Sequence, residues 1–279
     1  VALNYRWIVA GIAVWAVLPL LARDKETPEP ALPAEPPRDF PEARQQQVPP
    51  RNEFSVRRMP AHTAQDLRAV FTSPRRLRRK DVRWLLPLAT ATCASVALDR
   101  HVMTHMVPQD EAFHRISIDV SDTLITALLA TPVALFALGN LYENEKEREA
   151  GFVAGEAVID AFILDHLCKL GSWRERPDCG TGKGLFFNPD AGGLNSSFLS
   201  SHSMVAWTVA AVLANEYPDR RVEAAVYTTA AAISISRVLG RRHFPTDVLL
   251  GGAIGWFLGH YVYRARHRFS LPSDEPPAW

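Results

Sequence analysis

Ser236-Arg237-Val-Leu-Gly-Arg-Arg-His243-Phe-Pro-Thr-Asp247 lies between two apolar runs, residues 222–238 and 247–263. Pro245 interrupts the pattern and suits the first turn of a new helix, so that run should begin near Thr246. Four more apolar runs precede these, at residues 82–98, 121–141, 152–170 and 200–216. Each is near the length of a membrane helix. Small residues recur in them, as in Ala230, Ala231 and Ala232 and in Gly251, Gly252 and Gly255; small residues let membrane helices approach closely. The expected fold is therefore all-α, a six-helix membrane-embedded bundle. The third run carries Glu156, Asp160 and Asp165. Charges are costly in lipid, so these should face other helices or a site.

The loop charges set an orientation. With the basic cluster Arg75, Arg76, Arg78, Arg79, Lys80 and Arg83 inside, the loops with Lys146 and Arg148 and with Arg220 and Arg221 are inside too, as is the tail with Arg264, Arg266 and Arg268. The loops holding Arg176 and His243 then fall outside. Lys and Arg are retained on the cytoplasmic side. The protein is expected to be integral to the cytoplasmic membrane, with its site facing the periplasm.

The flanks differ in composition. Residues 1–22 contain the apolar run 7–21, about 22 Å long as a helix and short of a ~30 Å hydrocarbon core. It reads as a signal-like or anchor segment. Residues 23–80 are rich in Pro and Arg, with nine prolines from Pro28 to Pro60, and are expected to form a disordered linker. Residues 81–268 form the helical domain and 269–279 a tail. The net charge of +1 gives no electrostatic case for nucleic acid. Cys93, Cys168 and Cys179 show no metal-ligand spacing; Cys168 and Cys179 could pair in an oxidising compartment.

Three short stretches sit at helix ends and hold the residues suited to chemistry. Lys169-Leu-Gly-Ser-Trp-Arg-Glu-Arg176-Pro177 reads K-x6-R-P, Leu199-Ser200-Ser201-His202 follows, and the opening stretch reads S-R-x5-H-x3-D. A phosphate ester in a low-dielectric site needs its oxygens neutralised by fixed cations. Arg supplies a planar fork and Lys a point charge, so Lys169, Arg176 and Arg237 form such a set. Ser200 can donate a hydroxyl hydrogen bond. The backbone N–H groups near Ser201 and His202 open a helix, where an anion is favoured. This cradle requires no metal and no cofactor. Asp247, four residues after His243, can bond one ring nitrogen and aim the other at phosphorus. His202 can protonate the leaving oxygen. Gly180, Gly182 and Gly184 are expected to form a flexible lid between the first two stretches, with Trp173, Phe186 and Phe187 at the membrane interface or packed over the site.

The three stretches, in this order, resemble the signature of the type 2 phosphatidic acid phosphatase superfamily, which also includes class A acid phosphatases and vanadium haloperoxidases. That signature reads K-x6-R-P, P-S-G-H and S-R-x5-H-x3-D. The first and third stretches match at every fixed position; in the second, Leu199 replaces Pro and Ser201 replaces Gly. The resemblance covers about residues 82–266. It implies a phosphatase with Lys169, Arg176, Ser200, Ser201 and Arg237 on phosphate, His202 as acid, His243 as nucleophile and Asp247 as its partner. The implied substrate is a lipid phosphate or diphosphate. The alternatives within and beyond the family are a soluble periplasmic acid phosphatase, a vanadate-dependent haloperoxidase and a non-catalytic membrane protein. Leu199 is expected to loosen its turn and Ser201 to crowd the phosphate.

Overall fold

The computed structural model describes residues 56–73, 78, 81–179 and 181–267. The 7–21 run, most of the expected linker, five members of the basic stretches (Arg75, Arg76, Arg79, Lys80 and Arg268), Gly180 and the tail lie outside the described residues.

Among the described residues there are seven α-helices and no strand. They are α1 (Met59–Thr72), α2 (Val82–His101), α3 (Glu111–Leu141), α4 (Glu145–Ser172), α5 (Ser201–Glu216), α6 (Arg220–Leu239) and α7 (Pro245–Arg266). A π-turn over Val102–Met106 extends α2. The sequence places the starts. Asp110, Asn144, Ser200 and Asp219 each accept a backbone N–H of the helix they precede, satisfying donors that a helix start leaves unpaired. Pro245 occupies the first turn of α7, where its missing N–H costs nothing.

The first of these helices corrects an expectation. The linker assigned to residues 23–80 contains α1. Its one proline, Pro60, sits in the first turn, and the rest of its sequence is free of proline, so nothing blocks the helix. Two polar contacts dock α1 on the bundle. Arg266 donates to both Asp66 oxygens at 2.9 and 2.7 Å, and His62 Nδ1 lies 2.6 Å from Glu156 Oε1.

Packing in the bundle is closest between α5 and α7, through glycines. A Cβ at Gly255 would lie 2.1 Å from the Met204 carbonyl oxygen, and one at Gly259 2.4 Å from that of Thr208. The approach lets side chains bond across helices: Ser203 Oγ donates to the Val248 carbonyl at 2.9 Å and Thr208 Oγ1 to that of Gly255 at 3.0 Å. The second and third motifs are thereby fixed against each other.

The distribution of polarity is inverted on α4. Glu149, Glu156, Asp160, Asp165 and Lys169 are buried, while Ile159, Phe162, Ile163, Leu167 and Leu170 are exposed. The acids of this helix thus face the interior, as expected for a charged helix with an apolar surround. Among the described residues two helices, Glu111–Leu141 and Arg220–Leu239, are long and apolar enough to cross a membrane, with mean hydropathy of 1.9 and 1.2 over their most apolar stretches.

The glycine contact makes a paired prediction. Gly255→Leu should destabilise the protein by about 1–3 kcal/mol or more, because backbone cannot move aside. Gly155 on α4 has nothing within 4 Å of an added Cβ, so Gly155→Ala should stabilise by about 0.5–1 kcal/mol through reduced backbone freedom. Thermal unfolding of both variants checks the opposite signs.

Candidate active site

Antiparallel packing brings the C-terminal ends of α4 and α6 to the same end of the bundle as the N-terminal ends of α5 and α7. The three motifs therefore meet there, and His243 and Asp247 are both buried.

Lys169, in the last turn of α4, donates from Nζ to Asp165 Oδ2 at 2.8 Å and to the Ser201 hydroxyl. Ser201 in turn donates to Asp165 Oδ2 at 2.7 Å. The expected crowding by Ser201 does not take that form: its hydroxyl is turned into a Lys–Ser–Asp cluster. Ser200 is fully buried and caps α5 by accepting the Ser203 N–H at 3.5 Å, which is a structural use beside the expected contact with phosphate. Leu199 is fully buried within the main apolar cluster, so it anchors the turn that it was expected to loosen.

Arg176 reaches three backbone carbonyls. Nε donates to Asn195 at 2.9 Å, Nη1 to Arg242 at 3.0 Å and Nη2 to Ser196 at 3.5 Å. Burial pushes its pKa below the ordinary value, and Asp178 opposes that. A group whose charge is disfavoured by desolvation gains from an incoming anion. Arg237 Nη1 donates to Ser121 Oγ at 3.1 Å and to Asp122 Oδ1 at 2.9 Å. His202 Nε2 lies 3.1 Å from the same Asp122 oxygen.

His243 and its expected partner Asp247 lie at ion-pair distance, with a backbone carbonyl as the nearer acceptor. His243 Nδ1 is 2.8 Å from the Ser197 carbonyl oxygen and 3.8 Å from Asp247 Oδ2, beyond hydrogen-bond length. A carbonyl only accepts, so Nδ1 carries the proton and Nε2 is left with its lone pair. Asp247 is already occupied: Oδ2 accepts Ser197 Oγ at 2.5 Å and the Phe244 N–H at 2.9 Å, and Oδ1 accepts Arg174 Nη1 at 2.5 Å. It orients His243 through Ser197 instead. Burial pushes the imidazole down to about 4; Asp247 pulls it up, and the Arg176 and Arg237 charges push it down.

Arg174, Asp99, Ser197 and Asp122 were not singled out in the sequence. Arg174 is buried, donates from Nη2 to Asp99 Oδ2 at 2.6 Å, and lies between the Phe186 and Phe244 rings at 4.8 and 4.5 Å. Its position inside the spacer of the first motif was the available signal. Asp99 also accepts the Thr246 N–H at 3.0 Å. The expected glycine lid is a closed turn around Glu175, whose carboxylate accepts the N–H groups of Thr181, Gly182 and Lys183. Burial raises the Glu175 pKa, but these bonds outweigh it and lower the value overall. Among its glycines, Gly184 has φ +69° and its Cβ would strike the Phe244 ring at 2.8 Å. Cys168 and Cys179 are free thiols.

Residues 150–270 match the model of the PAP2 superfamily. The three motifs, from Lys169 to Asp247, all fall inside this segment. The chain is 36% identical over 187 residues to a lipid A 1-phosphatase of Porphyromonas gingivalis, covering 66% of this chain and 38% of that protein. It is 35% identical over 126 residues to a lipid A 1-phosphatase of Rhizobium etli, covering 43% of this chain and 53% of that one. The chain thus spans about half or less of the length of these curated relatives. Among solved structures it is similar to a transmembrane PAP2 type phosphatidylglycerolphosphate phosphatase from Bacillus subtilis, at 22% identity and a TM-score of 0.49, over 66% of this chain and 98% of that one.

Two predictions follow from the PAP2 site geometry. Arg174→Met would strand Asp99 and Asp247 as buried carboxylates, costing about 3–5 kcal/mol; Arg174→Lys should recover only part, having no fork to span both. Unfolding curves test this, and an unchanged midpoint for Arg174→Met contradicts it. The second concerns pH. The folded pKa of His243, about 4, lies below the unfolded value of about 6.5. Between these values the unfolded chain binds the proton and the folded one does not. Stability is therefore intact above about 6.5 and declines as pH falls towards the folded pKa. His243→Gln should flatten that decline, as read by melting temperature against pH.

Proposed function

We propose that this protein is a phosphohydrolase that cleaves a phosphate or diphosphate monoester of a lipid through a phosphohistidine on His243, with charge neutralisation supplied by its own cations and no metal. The observation that carries this reading is the fixed tautomer of His243. The Ser197 carbonyl holds the proton on Nδ1, which leaves Nε2 as a lone-pair nucleophile, and Arg176 and Arg237 lie close enough to act on it electrostatically.

The steps balance as follows. His243 Nε2 attacks phosphorus as the bond to the leaving oxygen breaks, and His202 gives that oxygen its proton. Lys169, Arg176 and Arg237 stabilise the charge on the phosphoryl oxygens. Water then attacks the phosphohistidine, His202 takes its proton, and the P–N bond breaks to release phosphate and restore His243. Asp247 holds Ser197 in place.

Three observations favour a lipid in a membrane over a soluble ester. The outer face of α4 carries Ile159, Phe162, Ile163, Leu167 and Leu170 while Glu149, Glu156, Asp160 and Asp165 are buried, and α3 exposes Ile116, Val120, Val133 and Phe136. An apolar cavity of about 700 Å³ runs along α7 from Pro245 to Phe257, lined also by Leu88, Trp207, Ile235 and Val238, and Pro245 ties it to the third motif. Trp173, Phe186 and Phe187 are exposed at the site end, where interfacial aromatics collect. The cations of the opposite end, such as Arg220, Arg221 and Arg264, suit the cytoplasmic side, which supports a site at the outer face of the cytoplasmic membrane. The two relatives' names put a lipid A 1-phosphate first among substrates to try.

The test is phosphate release from lipid A, phosphatidic acid, phosphatidylglycerol phosphate and polyprenyl diphosphate by purified protein in EDTA. Release by the wild type, its loss in His243→Ala, and a drop of about 10²–10⁴-fold in kcat in His202→Ala are expected. Activity that survives His243→Ala, or that EDTA abolishes, would contradict the mechanism.

A further inference from the structure

One carboxylate outside the three motifs touches both Arg237 and His202. Asp122 lies on α3, and its Oδ1 is 2.9 Å from Arg237 Nη1 and 3.1 Å from His202 Nε2. These are the two groups that the phosphatase reading assigns to a phosphoryl oxygen and to the leaving oxygen. A single oxygen held by both occupies the place where the substrate's bridging oxygen must sit.

We propose that Asp122 is an internal stand-in for that oxygen, which competes with phosphate for Arg237 and His202. The proposal rests on the phosphatase reading and adds a competitor to it. Two features of the surroundings support the role. Arg237 is buried at 7% exposure, and a buried guanidinium without a counter-ion is costly, so Arg237 requires an anion beside it. The Asp122 side chain is 54% exposed, so it can turn out to solvent when a phosphate arrives. Asp165, the carboxylate beside Lys169, is fully buried and has no such exit. Ser121 Oγ stays on Arg237 when Asp122 leaves.

The exchange replaces one anion by another beside Arg237. A phosphate and a carboxylate cannot share this place, because like charges at contact distance repel. The entering substrate therefore expels Asp122, and the returning carboxylate helps to expel product phosphate. Asp122 slows neither bond-making nor bond-breaking directly; it sets how tightly the anion is held.

The test is the affinity for orthovanadate and inorganic phosphate, measured by calorimetry on wild type and Asp122→Asn, which keeps the shape and removes the charge. The expected result is binding tighter by about tenfold or more in Asp122→Asn, with stronger product inhibition by phosphate. Damaged folding lowers affinity, so a gain cannot come from it. Melting temperature checks the fold, and Asp122→Ser repeats the comparison if the Asn variant melts early. Unchanged or weaker binding in a folded variant, with a wild type that binds vanadate and turns over lipid, overturns the role of Asp122 alone. A wild type that neither binds vanadate nor releases phosphate overturns the phosphatase reading and this proposal with it.

Discussion

The Asp247 carboxylate is fully buried and accepts from Arg174, Ser197 Oγ and the Phe244 N–H. Those donors come from the segment after α4, the loop before α5 and the turn before α7. One charge therefore ties together the backbones that carry all three motifs. A carboxylate desolvated to this degree is tolerable only when each oxygen is satisfied. Arg174 meets that need, and Asp99 balances the second half of its fork. The Ser197 carbonyl can hold His243 in one tautomer because Asp247 holds Ser197.

Helix packing supplies the frame around that charge. The glycines of α7 let its backbone approach that of α5, and the Ser200 N–H bonds the Asp247 carbonyl at 3.2 Å across the junction. The same approach that closes the bundle thus sets the spacing of the second and third motifs. α4 carries its acids inward and its isoleucines and leucines outward, which places Lys169 and Asp165 at the site with an apolar surface behind them. Three cations at the site are matched by carboxylates, Lys169 by Asp165, Arg174 by Asp99 and Asp247, and Arg237 by Asp122, while Arg176 is held by backbone carbonyls.

Much of this was legible in the sequence. Apolar runs bounded by Asp110, Asn144, Ser200, Asp219 and Pro245 marked helices because caps and proline act locally. Lys169, Arg176, His202, Arg237 and His243 were legible as a set because their types and spacing suit an anion. The Ser197 carbonyl as the nearer acceptor of His243 was not legible, for a physical reason. A spacing of four suggests contact on one helix face, but His243 precedes α7 and Asp247 lies in its first turn, with its oxygens taken by local donors. Arg174, Asp99 and Asp122 were hidden because their partners are 73 to 147 residues away or on other helices, and no local period encodes such pairs. The glycines of the 178–188 segment suggested mobility, yet the acceptor that orders them, Glu175, was a lone charge in the sequence. α1 was obscured by the prolines before it.

The central claim is a covalent phosphohistidine at His243. An aryl phosphate whose leaving group departs without a proton should phosphorylate His202→Ala and stall there, since the base for water attack is gone. Quenching this reaction and mapping the modified peptide by mass spectrometry is the direct measurement. Phosphate on His243, labile in acid and stable in base, is the predicted result. Phosphate on any other residue, or turnover with no phosphorylated enzyme at any time, would contradict the account.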